Sequence, residues 1–317
     1  MRVFVTGATG FIGSAVVQEL LGNGHQVVGL ARSDTSAAAL EAAGADAFRG
    51  TLEDTDGLKE AARNADGVIH TGYIHDFSPT ANPAAAAAVD GAAIAAFGDA
   101  LAGTGKPLVV ASGLPAQPGV LVTEDVRAPE NPAYPRVSEL TAVALAGRGV
   151  QVAVVRQPPS VHGEGDPHFI TAFIRIARAT GLSAYVGDGA NVWSAVHRLD
   201  AARLFRIALE TESTASESTV SESTAQAPAG TLLNAVGDEG VPFREIAEVI
   251  GRHLDVPVKS LTAEEAAGHF PGAFAVFAQF NAPASSAKTQ QRLGWRPAQP
   301  GLIADLDLGH YFTVLDQ

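Results

Sequence analysis

Short apolar, β-branched runs alternate with longer runs of helical period through the first half of the chain, the pattern of a parallel sheet covered by helices on both faces. Strands are predicted at residues 2–6, 26–31, 46–49, 67–70, 107–111 and 151–156, with helices between them at 11–21, 36–43, 55–62, 83–102 and 136–148. Gly22, Asn23 and Gly24 reach the left-handed conformation that closes a helix, so the first strand, helix and strand form one unit. Beyond Arg156 the alternation loosens. A Pro/Gly-rich loop over 157–167 precedes a helix around 169–180, and a turn at Gly187, Asp188 and Gly189 leads to another strand and helix. The pattern predicts an α/β fold, a doubly wound parallel sheet with a smaller C-terminal substrate lobe. The first lobe is expected to span 1–156, with 190–210 and 231–236 returning to it, and the second to hold 157–189 and 237–317. Residues 211–230 are almost wholly Ser, Thr, Glu, Ala and Pro, with Ser-Glu-Ser-Thr at 216–219 and again at 221–224, and read as a flexible low-complexity insertion.

Composition narrows the partners more than the fold. The 317 residues are 46% hydrophobic, enough for one large core or two unequal lobes. There are no cysteines, which removes disulfides, thiolate metal sites and a thiol nucleophile. Lys and Arg total 21 against 34 Asp and Glu, a formal charge of -13 without a basic cluster, so neither nucleic acid nor an anionic membrane is expected as a partner. The N-terminus lacks the layout of a signal peptide, and the apolar stretches 84–89 and 92–97 are interrupted by Asp90, Gly91 and Asp99. A soluble, cytoplasmic protein acting on a small molecule is the expectation.

The first candidate chemistry follows the first strand. Thr6, Gly7, Ala8, Thr9, Gly10, Phe11, Ile12 and Gly13 run from strand end to helix start, the context of a pyrophosphate-binding turn. Gly7 suits the tight turn, Gly10 lets a phosphate near the backbone, and Gly13 lets the helix lie on the sheet. At the end of the second strand, where NAD-binding folds place an acidic residue, stand Arg32 and Ser33. Their guanidinium and hydroxyl suit a 2′-phosphate, so NADP (as NADPH) is expected over NAD; the alternative is that Asp34 serves the ribose of NAD.

These residues resemble the extended short-chain dehydrogenase/reductase family, in its NAD(P)-dependent epimerase/dehydratase and atypical reductase branches. The resemblance covers most of the chain and rests on five stretches: residues 6–13, Val68-Ile69-His70, the strand end Val109-Val110-Ala111-Ser112-Gly113, the loop from Arg156 to Asp166, and Val196-His197-Arg198-Leu199-Asp200. It implies a Rossmann-type sheet with the nicotinamide over the ends of the fourth to sixth strands, and Pro158 among the cofactor contacts. The family's catalytic signature is a Tyr followed four residues later by a Lys. Here the segment reads Tyr134-Pro135-Arg136-Val137-Ser138-Glu139, and in neither register does a Lys follow a Tyr.

Proton transfer therefore needs other candidates. Ser112 stands near the family's Ser/Thr position and could bond a substrate carbonyl, or cap the strand. Tyr134 is either the acid or an aromatic plug beside Pro132 and Pro135. His162, in the loop beside the expected nicotinamide, is either a proton donor or a packing residue. Tyr73 and His75 follow the fourth strand, where this architecture seats ligands, and are taken as substrate contacts with Trp193, which with Tyr185 could wall the pocket from the second lobe. His197 and Asp200 read as structural. His162, Glu164, Asp166 and His168 lack the spacing of a fixed ligand face, and no metal is expected. The Phe-rich stretch 270–280 would either cover the cleft or form the face of a homodimer.

Three functions compete. The first is an NADPH-dependent reductase delivering hydride to a carbonyl, imine or activated alkene of a small substrate. The second is a nucleotide-sugar epimerase or dehydratase that recycles its cofactor. The third is an NADP-binding redox sensor or scaffold without turnover. The reductase is the expectation.

Overall fold

Val3, Phe4 and Val5 point alternately to opposite faces of their strand, and all three are fully buried, so this strand needs cover on both sides. The computed structural model describes residues 1–75, 81–115, 117, 119–129, 135–217 and 230–313. The first lobe is built from β1 (Arg2–Thr6), α1 (Phe11–Gly22), β2 (Gln26–Ala31), α2 (Asp34–Ala42), β3 (Asp46–Arg49), α3 (Thr55–Arg63), β4 (Gly67–His70), α4 (Pro83–Leu101), β5 (Pro107–Gly113), α5 (Ser138–Ala146) and β6 (Gln151–Gln157). The chain then passes through β7 (Ser160–His162), α6 (Phe169–Thr180), β8 (Ser183–Val186) and β9 (Val192–His197). It returns with α7 (Arg198–Glu217) and β10 (Thr231–Asn234). The remainder holds β11 (Asp238–Pro242), α8 (Phe243–Leu254), β12 (Val258–Leu261), α9 (Ala263–His269), α10 (Phe274–Phe277), α11 (Ala287–Leu293), α12 (Leu302–Asp307) and α13 (His310–Thr313).

Seven strands form a parallel sheet in the order β10-β6-β5-β4-β1-β2-β3, a doubly wound Rossmann fold. Strand parity sorts its side chains. Val3, Val5, Val109, Val155 and Leu233 meet α1 and α7 on one face, and Phe4, Val68, Leu108, Val154 and Leu232 meet α3, α4 and α5 on the other. The smaller lobe has its own core, in which Phe173, Trp193, Phe243, Ile246, Leu302 and Leu306 are buried. Its strands pair as β11-β9-β7 and β12-β8.

Two departures from expectation have a clear local cause. The helix α2 starts at Asp34 because the Ser33 hydroxyl caps it, accepting from the Ser36 N–H at 3.1 Å. The backbone of α7 stays helical to Glu217, into the tract expected to be a flexible insertion, because a helix started by apolar packing can run on through residues that need no burial. The rest of that tract, 218–229, lies outside the described residues. By length and composition α4 could cross a membrane, with a mean hydropathy of 1.4. Its Ala93, Ile94, Phe97 and Leu101 are instead buried against the sheet.

Candidate active site

The cradle at the end of β1 is built by backbone approach. Gly7 has φ +65°, and a Cβ there would come within 2.7 Å of the Thr71 carbonyl carbon and the Gly72 nitrogen. A Cβ on Gly13 would collide with the Gly7 carbonyl oxygen. Gly10 is the N-cap of α1, and no side chain among the described residues caps this helix, so its first N–H groups face outward as donors for an anion. Thr9 and Gly10 are exposed, and Phe11 and Ile12 are half-buried at the helix start. These residues fit a dinucleotide pyrophosphate.

Thr6 ties the cradle to the loop after β4. Its hydroxyl accepts from the Gly72 N–H at 3.2 Å and bonds His70 Nδ1 at 2.7 Å, while Thr71 Oγ1 donates to the Thr6 carbonyl at 2.7 Å. The other ring nitrogen, His70 Nε2, lies 3.1 Å from Asp90 Oδ1 on α4, and Asp90 Oδ2 accepts from Ser138 Oγ at 2.7 Å. Thr6, His70, Asp90 and Ser138 are all buried. An ionised carboxylate only accepts, so His70 donates from Nε2; an imidazole with one proton then accepts at Nδ1 from the Thr6 hydroxyl. The chain of bonds thus has one polarity at each end, converging on Asp90.

Beyond Ser138 the network surfaces. Arg136 Nε donates to Ser138 Oγ over a long 3.4 Å, and the Arg136 guanidinium lies 4.5 Å from the centroid of the Tyr73 ring. The Tyr73 ring is 4.9 Å from His75, His75 is 6.2 Å from His168, His168 is 5.8 Å from Phe11, and Arg198 lies 5.0 Å over Phe11. A row of rings with a guanidinium at each end therefore runs from the start of α5 to the start of α1. Desolvation within this row, together with the charges of Arg136 and His168, lowers His75 to about 4, and burial also lowers His168. Both imidazoles are neutral at pH 7, which leaves the two arginines as the cations of the row.

Of the expected site residues, Thr6, Gly7, Thr9, Gly10, Phe11, Ile12, Gly13, Tyr73 and His75 come together here. Ser112 is buried on β5, paired in register with Arg156 of β6, and Pro158 is buried between β6 and β7. Tyr134 lies outside the described residues. Trp193 is fully buried, edge-on to Phe169, Phe173 and Phe243 in the core of the second lobe, because its strand β9 is covered on the side that faces α6 and α8. His162 is 1% exposed, with Nδ1 2.9 Å from Asp305 Oδ2, and so is held in a buried pair. Burial works to raise the Asp305 carboxyl, but the His162 hydrogen bond and the charges of His162, His310 and His197 outweigh it and hold Asp305 below its ordinary range. Asp166 beside it is pushed up to about 7 by burial and by Asp305, and Tyr311 is raised by burial and by Asp166. Asp200 accepts from the Ala298 and Gln299 N–H groups and from Arg203, tying α7 to the C-terminal segment.

Sequence reasoning passed over Asp90, Ser138 and the pair Glu139–Arg156. Arg156 Nε and an Arg156 terminal nitrogen donate to the two Glu139 oxygens at 2.8 and 2.6 Å, and both residues are buried. Glu139 stands where one register places the family's Lys, and this pair turns it away from the ring row. The signal was present: an Asp in the Ala-rich middle of a helix and a lone Arg in a Val-rich strand each need a partner once buried.

Residues 3–220 match the NAD dependent epimerase/dehydratase family. The chain belongs to that family. An uncharacterized protein of Schizosaccharomyces pombe is 45% identical over 314 residues, covering 98% of this chain and 100% of that protein. By fold the chain is similar to MoeE5, solved with UDP-glucuronic acid and NAD, at TM-score 0.72 and 21% identity with 100% of both chains covered. It is also similar to the UDP-glucose 4-epimerase of Stenotrophomonas maltophila, solved with NAD and formylated UDP-arabinopyranose, at TM-score 0.74 and 18% identity, covering 100% and 99%. Family and fold are those of NAD(P)-dependent oxidoreductases of the short-chain dehydrogenase/reductase type.

The expectations of NADP as cofactor and of an NADPH-dependent reductase are corrected by these findings, since both of these structures of the same fold were solved with NAD and a nucleotide sugar. The structure gives the physical reason at the end of β2. The Ser33 hydroxyl is engaged in capping α2. The second guanidinium nearby, Arg49, is bound to the Ser33 carbonyl and the Asp34 carboxylate. Arg32 is exposed, and the acidic residue nearest the end of β2, Asp34, is ion-paired with Arg49.

Proposed function

We propose that the protein binds NAD in the cradle at residues 6–13 and uses it in an epimerase- or dehydratase-type reaction on a nucleotide-linked sugar. The observation that carries this reading is the junction of that cradle with the ring row: the Thr6–Gly72 bond sets a dinucleotide turn directly against a loop whose Tyr73 and His75 stand in a row between the guanidiniums of Arg136 and Arg198. Two guanidiniums and two neutral imidazoles suit a polyhydroxyl substrate that carries an anionic diphosphate. Whole-chain likeness in fold to proteins solved with UDP-sugars and NAD supports the same class. NAD supplies a reversible acceptor for hydride; the chain's own residues seat the pyrophosphate, orient the sugar and exchange its hydroxyl proton.

Titration calorimetry with NAD and with NADP tests the cofactor, and UDP-glucose or UDP-glucuronic acid added to the NAD complex tests the chemistry. NAD is expected to bind tighter than NADP. The UDP-sugar is expected to raise a transient reduced-nicotinamide absorbance. Tighter NADP binding, or no binding of either UDP-sugar, overturns the reading.

A further inference from the structure

A cation is unfavourable at the N-terminal end of a helix, where the backbone already presents unpaired N–H groups. Arg198 stands at two such ends. It is the first residue of α7, and its guanidinium lies 5.0 Å over the ring of Phe11, the first residue of α1. The first turn of α1 holds no acidic residue. Asp200, the acid in the first turn of α7, is engaged by Arg203 and by the Ala298 and Gln299 N–H groups. Among the described residues no carboxylate lies within ion-pair distance of the Arg198 guanidinium, whose hydrogen bond goes to the Glu164 carbonyl at 3.0 Å. In a chain of formal charge -13, positive potential thus converges on one corner with no acid to answer it.

We propose that Arg198 is a binding residue for the cofactor, joining the first N–H groups of α1 in holding the diphosphate of the dinucleotide. This assignment rests on the reading of the cradle given above and adds a residue to it. Phe11 and the glycine turn lie at the Arg198 end of the ring row and Arg136 at the other, so the diphosphate within reach of Arg198 is that of the cofactor in the cradle.

The side chain is fixed for this task by three contacts. Gly163 has φ +136°, and a Cβ there would come within 3.2 Å of Arg198 Cγ and 3.1 Å of His197 Nε2, so the bare glycine lets the Arg198 stem lie along the loop after β7. The Glu164 carbonyl takes one N–H of the guanidinium, and the Phe11 ring receives its charge. The loop is in turn fastened to α13, because the Gly163 N–H donates to the Tyr311 hydroxyl at 2.9 Å. A guanidinium carries five N–H donors in a rigid fork, and one bond to a carbonyl leaves the others for phosphate oxygens. The cofactor is thereby held from both lobes, by α1 of the first and by an arginine braced on a loop of the second.

Calorimetry of the full chain with ADP-ribose, NAD and UDP-glucose tests this; ADP-ribose carries the diphosphate of NAD without its nicotinamide. Arg198→Met is expected to weaken ADP-ribose and NAD alike by about tenfold or more, the factor that loss of a hydrogen bond between charged groups brings, and to leave UDP-glucose affinity unchanged. Arg198→Lys keeps the charge without the fork and should lose affinity several-fold. Raising sodium chloride should weaken ADP-ribose binding to wild type, and less steeply to Arg198→Met, a change that a packing role would not produce. Circular dichroism shows whether each variant is folded; should Arg198→Met not fold, Arg198→Lys decides in its place. Unchanged ADP-ribose affinity in a folded Arg198 variant, or loss of UDP-glucose affinity in place of ADP-ribose affinity, overturns the assignment. Wild type that binds neither ADP-ribose nor NAD would strike the proposed function as well, whereas tight wild-type binding that is indifferent to Arg198 would strike this assignment alone.

Discussion

Among the described residues two His–Asp pairs are almost fully buried, and their chemistry is nearly the same. His70 meets Asp90 at 3.1 Å and His162 meets Asp305 at 2.9 Å, each with both side chains almost fully buried. They differ in what lies at their ends. The first pair is continued by two hydroxyls, Thr6 and Ser138, toward the glycine turn on one side and the ring row on the other. Around the second stand Asp166, Tyr311, His197 and His310, in a cluster that joins the loop after β7 to α12 and α13. A titratable pair in a protein interior acquires a role from its terminations: hydroxyl-ended, it transmits position to a surface; closed on further acids, it clasps two segments.

Removing one acid from each pair breaks this contrast most strongly. Asp90→Ala and Asp305→Ala each leave a buried imidazole without its partner, and each is expected to cost on the order of 3–5 kcal/mol in urea unfolding. Only Asp90→Ala should also weaken NAD binding measured by calorimetry; an equal loss in both would erase the distinction between the two pairs.

A pH series on the second pair gives the next largest effect. Asp166 has its folded-state value raised to about 7 from 3.8, so between those values the folded protein holds a proton that the unfolded chain has released. Stability contributed by this group is therefore greatest at the acid end and is lost as pH rises from about 4 to about 7. The loss should reach a few kcal/mol, each tenfold in proton affinity being worth about 1.4 kcal/mol. Asp166→Asn, which keeps an acceptor for the His168 N–H, should flatten that fall and raise the melting temperature at pH 8. A melting profile as steep as wild type would remove Asp166 as its cause.

The smallest test compares two single hydroxyls. Thr6→Val orphans the Gly72 N–H and Tyr311→Phe orphans the Gly163 N–H, and each should cost about 1–2 kcal/mol. Thr6→Val is expected to reduce NAD affinity as well, and Tyr311→Phe to leave it unchanged, both read by calorimetry.

The same contrast shows what could be read from the sequence. The strands β1 to β6 and the glycine turn were legible because period, β-branching and Gly spacing are local signals, and the predicted strand starts coincide with the observed ones. His162 drew attention as a proton donor because its loop resembles the family's loop beside the nicotinamide. Its partner Asp305 is 143 residues away, and no local pattern shows that the imidazole is already engaged. The reverse held for Asp90, which read as an interruption in an apolar stretch. Its meaning depends on His70 and Ser138, 20 and 48 residues distant on other elements. Trp193 was weighed as a pocket wall; its burial on the side of β9 that faces α6 and α8 is decided by packing that no local pattern shows. Arg32 misled because a side chain's charge is legible and its neighbours' commitments, here Ser33 to a cap and Arg49 to Asp34, are not.

The strand order carries a consequence for how this molecule is made. β6 pairs on its outer side with β10, Val154 opposite Leu232, after the chain has traversed β7 through α7. Until that distant segment docks, the Val-rich β6 is an open sheet edge with unpaired backbone groups, a template for another chain. Refolding should therefore be slow and concentration-sensitive, with association between half-folded molecules competing against arrival of the seventh strand.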